Sequence, residues 1–187
     1  MVPILSLWLP ILLSAVAVFI ASSLVHMVFR WHRSDYGGLP DEDGTMAALR
    51  RLSLAPGDYL FPKPGGPAAM KDPGFLAKWK AGPVGRLTIL KTGDAPSMGR
   101  PLTQWFLYCV VVSILAAYIA GRALAPGAPY LHAFRFAGAT AFIAYAIGTW
   151  PESIWMGRPV STTIKSNFDG LIYALLTGGI FGWLWPR

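Results

Sequence analysis

The chain has 187 residues, 54% of them hydrophobic and only 13% charged. Charged residues make up about a quarter of an ordinary water-soluble domain, so this composition excludes a typical soluble globule. The net charge of +7 does not mark a nucleic-acid binder, because the basic residues flank apolar stretches. Attraction to anionic lipid and control of topology account for them.

In chain order, four charge-poor stretches stand out: Val2–Phe29, Pro101–Gly121, Phe134–Pro151 and Gly170–Pro186. A helix needs about 20 mostly apolar residues to cross a hydrocarbon core of about 30 Å. The expectation is an all-α integral membrane protein. Residues 1–29 form the first transmembrane helix and 30–100 a small α+β cytoplasmic insert. Residues 101–187 hold three further spans, about 101–121, 134–151 and 168–186. No Lys or Arg precedes Arg30 and the first apolar run is long, so it reads as an uncleaved span, not a signal peptide.

Charge sets the expected topology. With both termini outside and residues 30–100 cytoplasmic, only Arg122, Arg135 and Arg187 of the 16 basic residues fall outside, as the positive-inside rule requires. The same arrangement puts Trp8, Tyr118, Tyr130, Trp183 and Trp185 at the outer face, and Trp31, Trp105, Trp150 and Trp155 at the inner one. Aromatic residues with a polar edge favour both interfaces.

The insert is rich in Pro and Gly but carries local signals. Asp43 or Thr45 can cap a short helix through Met46–Leu52. Asp72 followed by Pro73 reads as an N-cap with proline at the first helical position. Val84–Lys91 can pair with Tyr59–Phe61 as a short hairpin sheet. About 70 residues with so little apolar content bury little core alone.

Read at helical spacing, the four spans carry polar residues on one face each. His26, Gln104, Tyr108, Tyr145, Thr149, Glu152, Asp169 and Tyr173 all fall in the expected inner half. Such residues are expensive in lipid and usually face the bundle or a water-filled cavity, so they form a candidate polar pocket. His26 and Asp169 share an estimated depth, and metal ligation by His26 with Asp169 and Glu152 is conceivable on residue type. Nothing in the spacing demands a metal or a cofactor, and no catalytic motif is present. Cys109, the single cysteine, excludes an intrachain disulfide and reads as a small hydrophobe. Gly178 and Gly182 form a GxxxG step that can pack helices within the bundle or build a homodimer.

The stretches His26–Tyr36, Gly82–Thr88, Ser153–Pro159, Phe168–Tyr173 and Phe181–Trp185 resemble those of uncharacterised bacterial four-span inner-membrane proteins. The resemblance implies a bacterial inner-membrane origin and the four-span layout. It carries no activity and no catalytic residue. The expected role is therefore a small non-enzymatic accessory or scaffold subunit, in contact with the lipid bilayer and with a protein partner or a second copy. A small-solute or proton-coupled carrier using the inner-leaflet pocket is one alternative. A membrane enzyme acting on a lipid or quinone is another.

Overall fold

The computed structural model describes residues 1–93 and 97–187; residues 94–96 of the expected insert lie outside the described residues. The chain is mostly helical and separates into two compact units, Met1–Tyr36 with Ser97–Arg187, and Gly37–Pro96. Residues 30–36 and 97–100, expected in the insert, thus belong to the helical unit.

Four long helices build that unit. The first, α1 (Ile4–Val28), ends in a π turn over Leu24–Val28. A 3-10 turn over Arg30–His32 follows the extended residue Phe29. In the same unit, α4 (Gly99–Ala123) and α5 (Tyr130–Tyr145) are joined by a short connection, and α7 (Val160–Trp183) closes the bundle. The chain runs up and down: the Val2 N–H donates to the Gly121 carbonyl at 2.8 Å, and the Gly127 N–H to the Pro186 carbonyl at 2.8 Å. One end of the bundle therefore collects the start of α1, the end of α4, the start of α5 and the end of α7.

Small side chains let these helices approach. The core is built from Ala116, Ala117, Ala120, Ala133 and Ala137 around Leu7 and Phe181, and from Ala15, Val18, Cys109, Val112 and Ala141 nearer the other end. Cys109 is buried and free. Along the antiparallel α5–α7 contact, a Cβ on Gly178 would sit 2.7 Å from the Phe134 carbonyl oxygen, and one on Gly182 would sit 2.7 Å from the Tyr130 ring. The Gly178–Gly182 face is therefore filled by α5 of the same chain.

Two of the four expected spans, α1 and α4, are long and apolar enough to cross a membrane. The other two, α5 and α7, are not, and their bounds differ from those expected. The third was expected at 134–151, but α5 stops at Tyr145 and spans only about 24 Å at 1.5 Å per residue. Ala146 leaves the helix, a 3-10 turn covers Ile147–Thr149, and Pro151 opens the short helix α6 (Trp150–Met156). Proline is tolerated there because its missing N–H has no partner in a first turn. The fourth begins at Val160, just after Pro159, so the polar run Ser161–Asn167 is helical. Hydropathy alone passes over that run.

The second unit pairs β1 (Gly57–Phe61) with β2 (Gly85–Ile89), antiparallel, with Tyr59 opposite Leu87 and Phe61 opposite Gly85. Thr88 Oγ1 donates across the pair to Asp58 at 2.7 Å. Two helices flank the hairpin in sequence, α2 (Glu42–Arg51) and α3 (Pro73–Ala81). Asp72 caps α3 by accepting from the Phe75 N–H at 2.9 Å. The cap of α2 is Asp41, which accepts from the Gly44 N–H, not Asp43 or Thr45. The helix thus starts four residues earlier than its apolar spacing suggests, and Asp43 lies inside its first turn, where an acidic residue suits the positive end of the dipole.

Candidate functional site

At the end of the bundle opposite the chain termini lies a cavity of about 560 Å³. Its body is apolar and aromatic: Met27, Met98, Leu102, Trp105, Ala144 and the rings of Tyr108, Tyr145 and Tyr173. Its polar lining is His26, Ser22, Ser23, Thr149, Ser166 and Asp169. Six of the eight residues expected in the pocket border it: His26, Tyr108, Tyr145, Thr149, Asp169 and Tyr173. Gln104 and Glu152 do not. Gln104 is exposed, one position round the helix from Trp105. Glu152 is exposed on α6, beyond the break at Ala146 that ends α5, and is paired with Arg158 at 2.6 Å.

The aromatic wall is built by mutual packing. The Trp105 ring lies 5.5 Å from Tyr108, 6.1 Å from Tyr145 and 6.3 Å from Tyr173, spacings typical of attractive ring pairs. Its indole N–H donates to Ser22 Oγ at 2.7 Å, and the Tyr108 hydroxyl donates to the Ala144 carbonyl at 3.0 Å. The Tyr173 hydroxyl is buried with no hydrogen-bond partner among the described residues. An unpaired buried hydroxyl costs about 1–3 kcal/mol, which a polar group on a bound molecule would recover.

Beside the cavity lies an ionic cluster that sequence reasoning missed in part. His26 sits in the π turn of α1, with Nδ1 3.1 Å from the Ser22 carbonyl oxygen. The 3-10 turn folds the chain back so that the His32 ring stacks on His26, centroids 4.5 Å apart and 14° from parallel. His32 Nε2, not His26, meets Asp169 Oδ2, at 2.7 Å, and His32 Nδ1 meets Asp35 Oδ2 at 2.6 Å. The Lys165 ammonium donates to the other Asp35 oxygen at 2.7 Å and to Ser34 Oγ at 2.8 Å. Burial pushes the Asp35 carboxyl up, but hydrogen bonds from Lys165 and His32 outweigh it and hold the group below the usual carboxylate range.

His32, Asp35 and Lys165 escape a helical-face reading because two of them follow the end of α1, where no periodicity applies. The usable signal was composition: a His and an Asp three residues apart, just beyond an apolar span that already carries a His. One ligand atom from each of His26, His32 and Asp169 lies within 4.8 Å of the other two. Glu152 has no place in that group. The chain matches no family model, no curated protein and no solved structure, so the site must be read from its own geometry.

Proposed function

We propose that the chain is a four-span bacterial inner-membrane protein whose cavity binds a lipid- or quinone-like molecule, with an apolar body and a polar head. Its apolar body would lie against Met27, Met98, Leu102 and the aromatic wall, and its head would meet His26, Asp169 and Tyr173. The observation that carries this reading is the cavity itself, of a size suited to a small-molecule ligand, apolar along its body and polar at one end.

The membrane part rests on surface chemistry. Only 28% of the apolar window of α1, and the same share of α4, is buried. Leu12, Leu13 and Ile20 on α1, and Leu107, Val111, Ile114 and Leu115 on α4, are exposed. An apolar surface of this extent calls for lipid or a partner. The up-and-down course of α1, α4, α5 and α7 supports four spans with both termini on one side, and the basic residues of 30–100 favour that segment as the cytoplasmic one. The short α5 and the polar first half of α7 fit if neighbouring helices cover them and the bilayer adapts.

Native mass spectrometry of the protein extracted in mild detergent tests the proposal. A reproducible small-molecule adduct is expected on the wild type and should be lost in Ala144→Phe, which fills the cavity. A wild type that always flies bare would sink it.

The scaffold reading draws support from a different place. Met46, Leu52, Phe61 and Trp79 of the unit Gly37–Pro96 are all exposed, a surface on which a protein partner can dock. A partner or second copy would use such a surface and not the Gly178–Gly182 face. The same spectrum would then carry a protein-sized extra mass.

A further inference from the structure

We infer that His26, His32 and Asp169 form a binding site for one divalent transition-metal ion at the polar end of the cavity. The three protein ligands are argued from their own geometry. The proposed cavity matters only for what fills the remaining coordination position.

Both imidazoles are prepared for a metal through their nitrogens. His26 Nδ1 faces the Ser22 carbonyl oxygen at 3.1 Å, a contact that requires Nδ1 to carry the proton and leaves Nε2 with its lone pair. His32 Nδ1 is held by Asp35 at 2.6 Å, which selects the same tautomer. Asp35 is in turn held by Lys165. A ligating histidine nearly always gives its other N–H to a carboxylate or a backbone carbonyl, which orients the ring and raises its basicity. Here one histidine has each kind of support.

The ligand atoms already lie close together. At zinc-like bond lengths of about 2.1 Å, tetrahedral ligand atoms sit about 3.4 Å apart. His32 Nε2 and Asp169 Oδ2 are 2.7 Å apart, and the His26 atom is within 4.8 Å of both. Opening the first pair slightly and turning the His26 ring out of its stack on His32 completes three corners of a coordination shell. Without an ion, the lone pair of His32 Nε2 and the Asp169 carboxylate oxygen would repel each other, so a shared proton stands where the metal would go.

Charge agrees. The cluster holds two carboxylates, Asp35 and Asp169, against one ammonium, Lys165. Once the shared proton leaves and both histidines are neutral, the cluster has a net charge of −1, and Asp169 is 4% exposed. Among the described residues Asp169 pairs with no cation beyond His32, and a buried carboxylate so placed favours a dication over solvent. Two imidazoles and one carboxylate suit zinc, ferrous or manganous ions over magnesium or calcium. His26 and Asp169 also border the cavity, so the open position faces it. There a bound water, or the polar head of the cavity's occupant, would be the remaining ligand.

The test uses the full chain, purified in mild detergent through a tag without histidine, stripped of metal and titrated with Co²⁺ and then Zn²⁺. One equivalent of Co²⁺ is expected, with the visible absorption of a four- or five-coordinate nitrogen–oxygen site, displaced by Zn²⁺. His26→Gln, His32→Ala and Asp169→Asn should each abolish that absorption. His132→Ala, in the first turn of α5 at the opposite end of the bundle, and Glu152→Gln should leave it unchanged. Asp35→Asn should weaken affinity by about 10- to 100-fold while keeping the spectrum, as loss of an outer-shell partner does. Absence of stoichiometric Co²⁺ binding in the wild type overturns the inference, whatever the variants do. Binding that survives His32→Ala in a protein that still elutes as the wild type overturns it too. Ala144→Phe separates the two proposals: it should remove the small-molecule adduct and retain the metal. If the adduct is present on the wild type and Co²⁺ is not bound, the metal inference fails alone.

Discussion

The helical unit and the unit Gly37–Pro96 are stabilised in opposite ways. In the first, side chains such as Leu7, Val18, Ala116 and Phe181 are wholly buried, and glycines set the spacing of α5 and α7. In the second, no described residue is buried, and order comes from local devices: the Asp41 and Asp72 caps, a five-residue strand pair and one cross-strand side-chain bond. Local devices contribute about a kilocalorie each, and close packing contributes several. The chemistry follows the packing. The partly buried ionic cluster and the aromatic wall both lie in the first unit, where neighbours hold side chains in one geometry.

The largest effect should come from crowding the α5–α7 contact. Gly178→Leu forces a side chain against the Phe134 backbone and should destabilise the bundle by about 3 kcal/mol or more, read as loss of monodisperse protein in detergent. Next, Asp35→Ala leaves Lys165 and His32 without their shared acceptor. It should cost about 1–3 kcal/mol, read as a lower midpoint of thermal unfolding. Trp105→Phe removes the hydrogen bond to Ser22 and part of the aromatic wall, and should cost about 1–2 kcal/mol by the same readout.

In the other unit the effects should shrink and stay local. Asp72→Ala should weaken α3 by about 1 kcal/mol, seen as faster amide exchange at Phe75 with the bundle's unfolding midpoint unchanged. Thr88→Val should cost a few tenths to about 1 kcal/mol, seen only in exchange of the strand amides. If Asp72→Ala lowered the bundle midpoint as Asp35→Ala does, the two units would melt as one and the comparison would fail. Limited proteolysis sharpens it: cuts should fall between Gly37 and Lys91 before any within α1, α4, α5 or α7, because segments with few buried contacts open first.

Legibility in the sequence divides along similar lines. The helices α1 and α4 are visible in hydropathy, and the Asp72–Pro73 start of α3 in its cap. The polar faces of the helices indicated six cavity residues, because side chains three and four apart share a face whatever packs on them. Gln104 missed the cavity by a small rotation of α4. Glu152 missed it through the break after Tyr145, which falls inside the stretch read as one continuous span. The start of α7 at Val160 was hidden because its first turns are polar, and only packing beside α6, with Ser153 bonded to Thr163 at 2.6 Å, reveals them as helix.

The sequence by itself determined that long apolar helices carry polar residues toward one end, and that a Pro- and Gly-rich segment with a helix cap at Asp72 lies between the first two. Those are consequences of composition and of short-range periodicity. Only the tertiary structure decided that His32 reaches Asp169 across 137 positions, that Asp35 and Lys165 lock it there, and that His26 stacks on it without bonding the acid. That choice was made by a π turn, a tight 3-10 reversal and the approach of α7. Contacts so far apart in the chain leave no period in the sequence, because they depend on where whole helices pack.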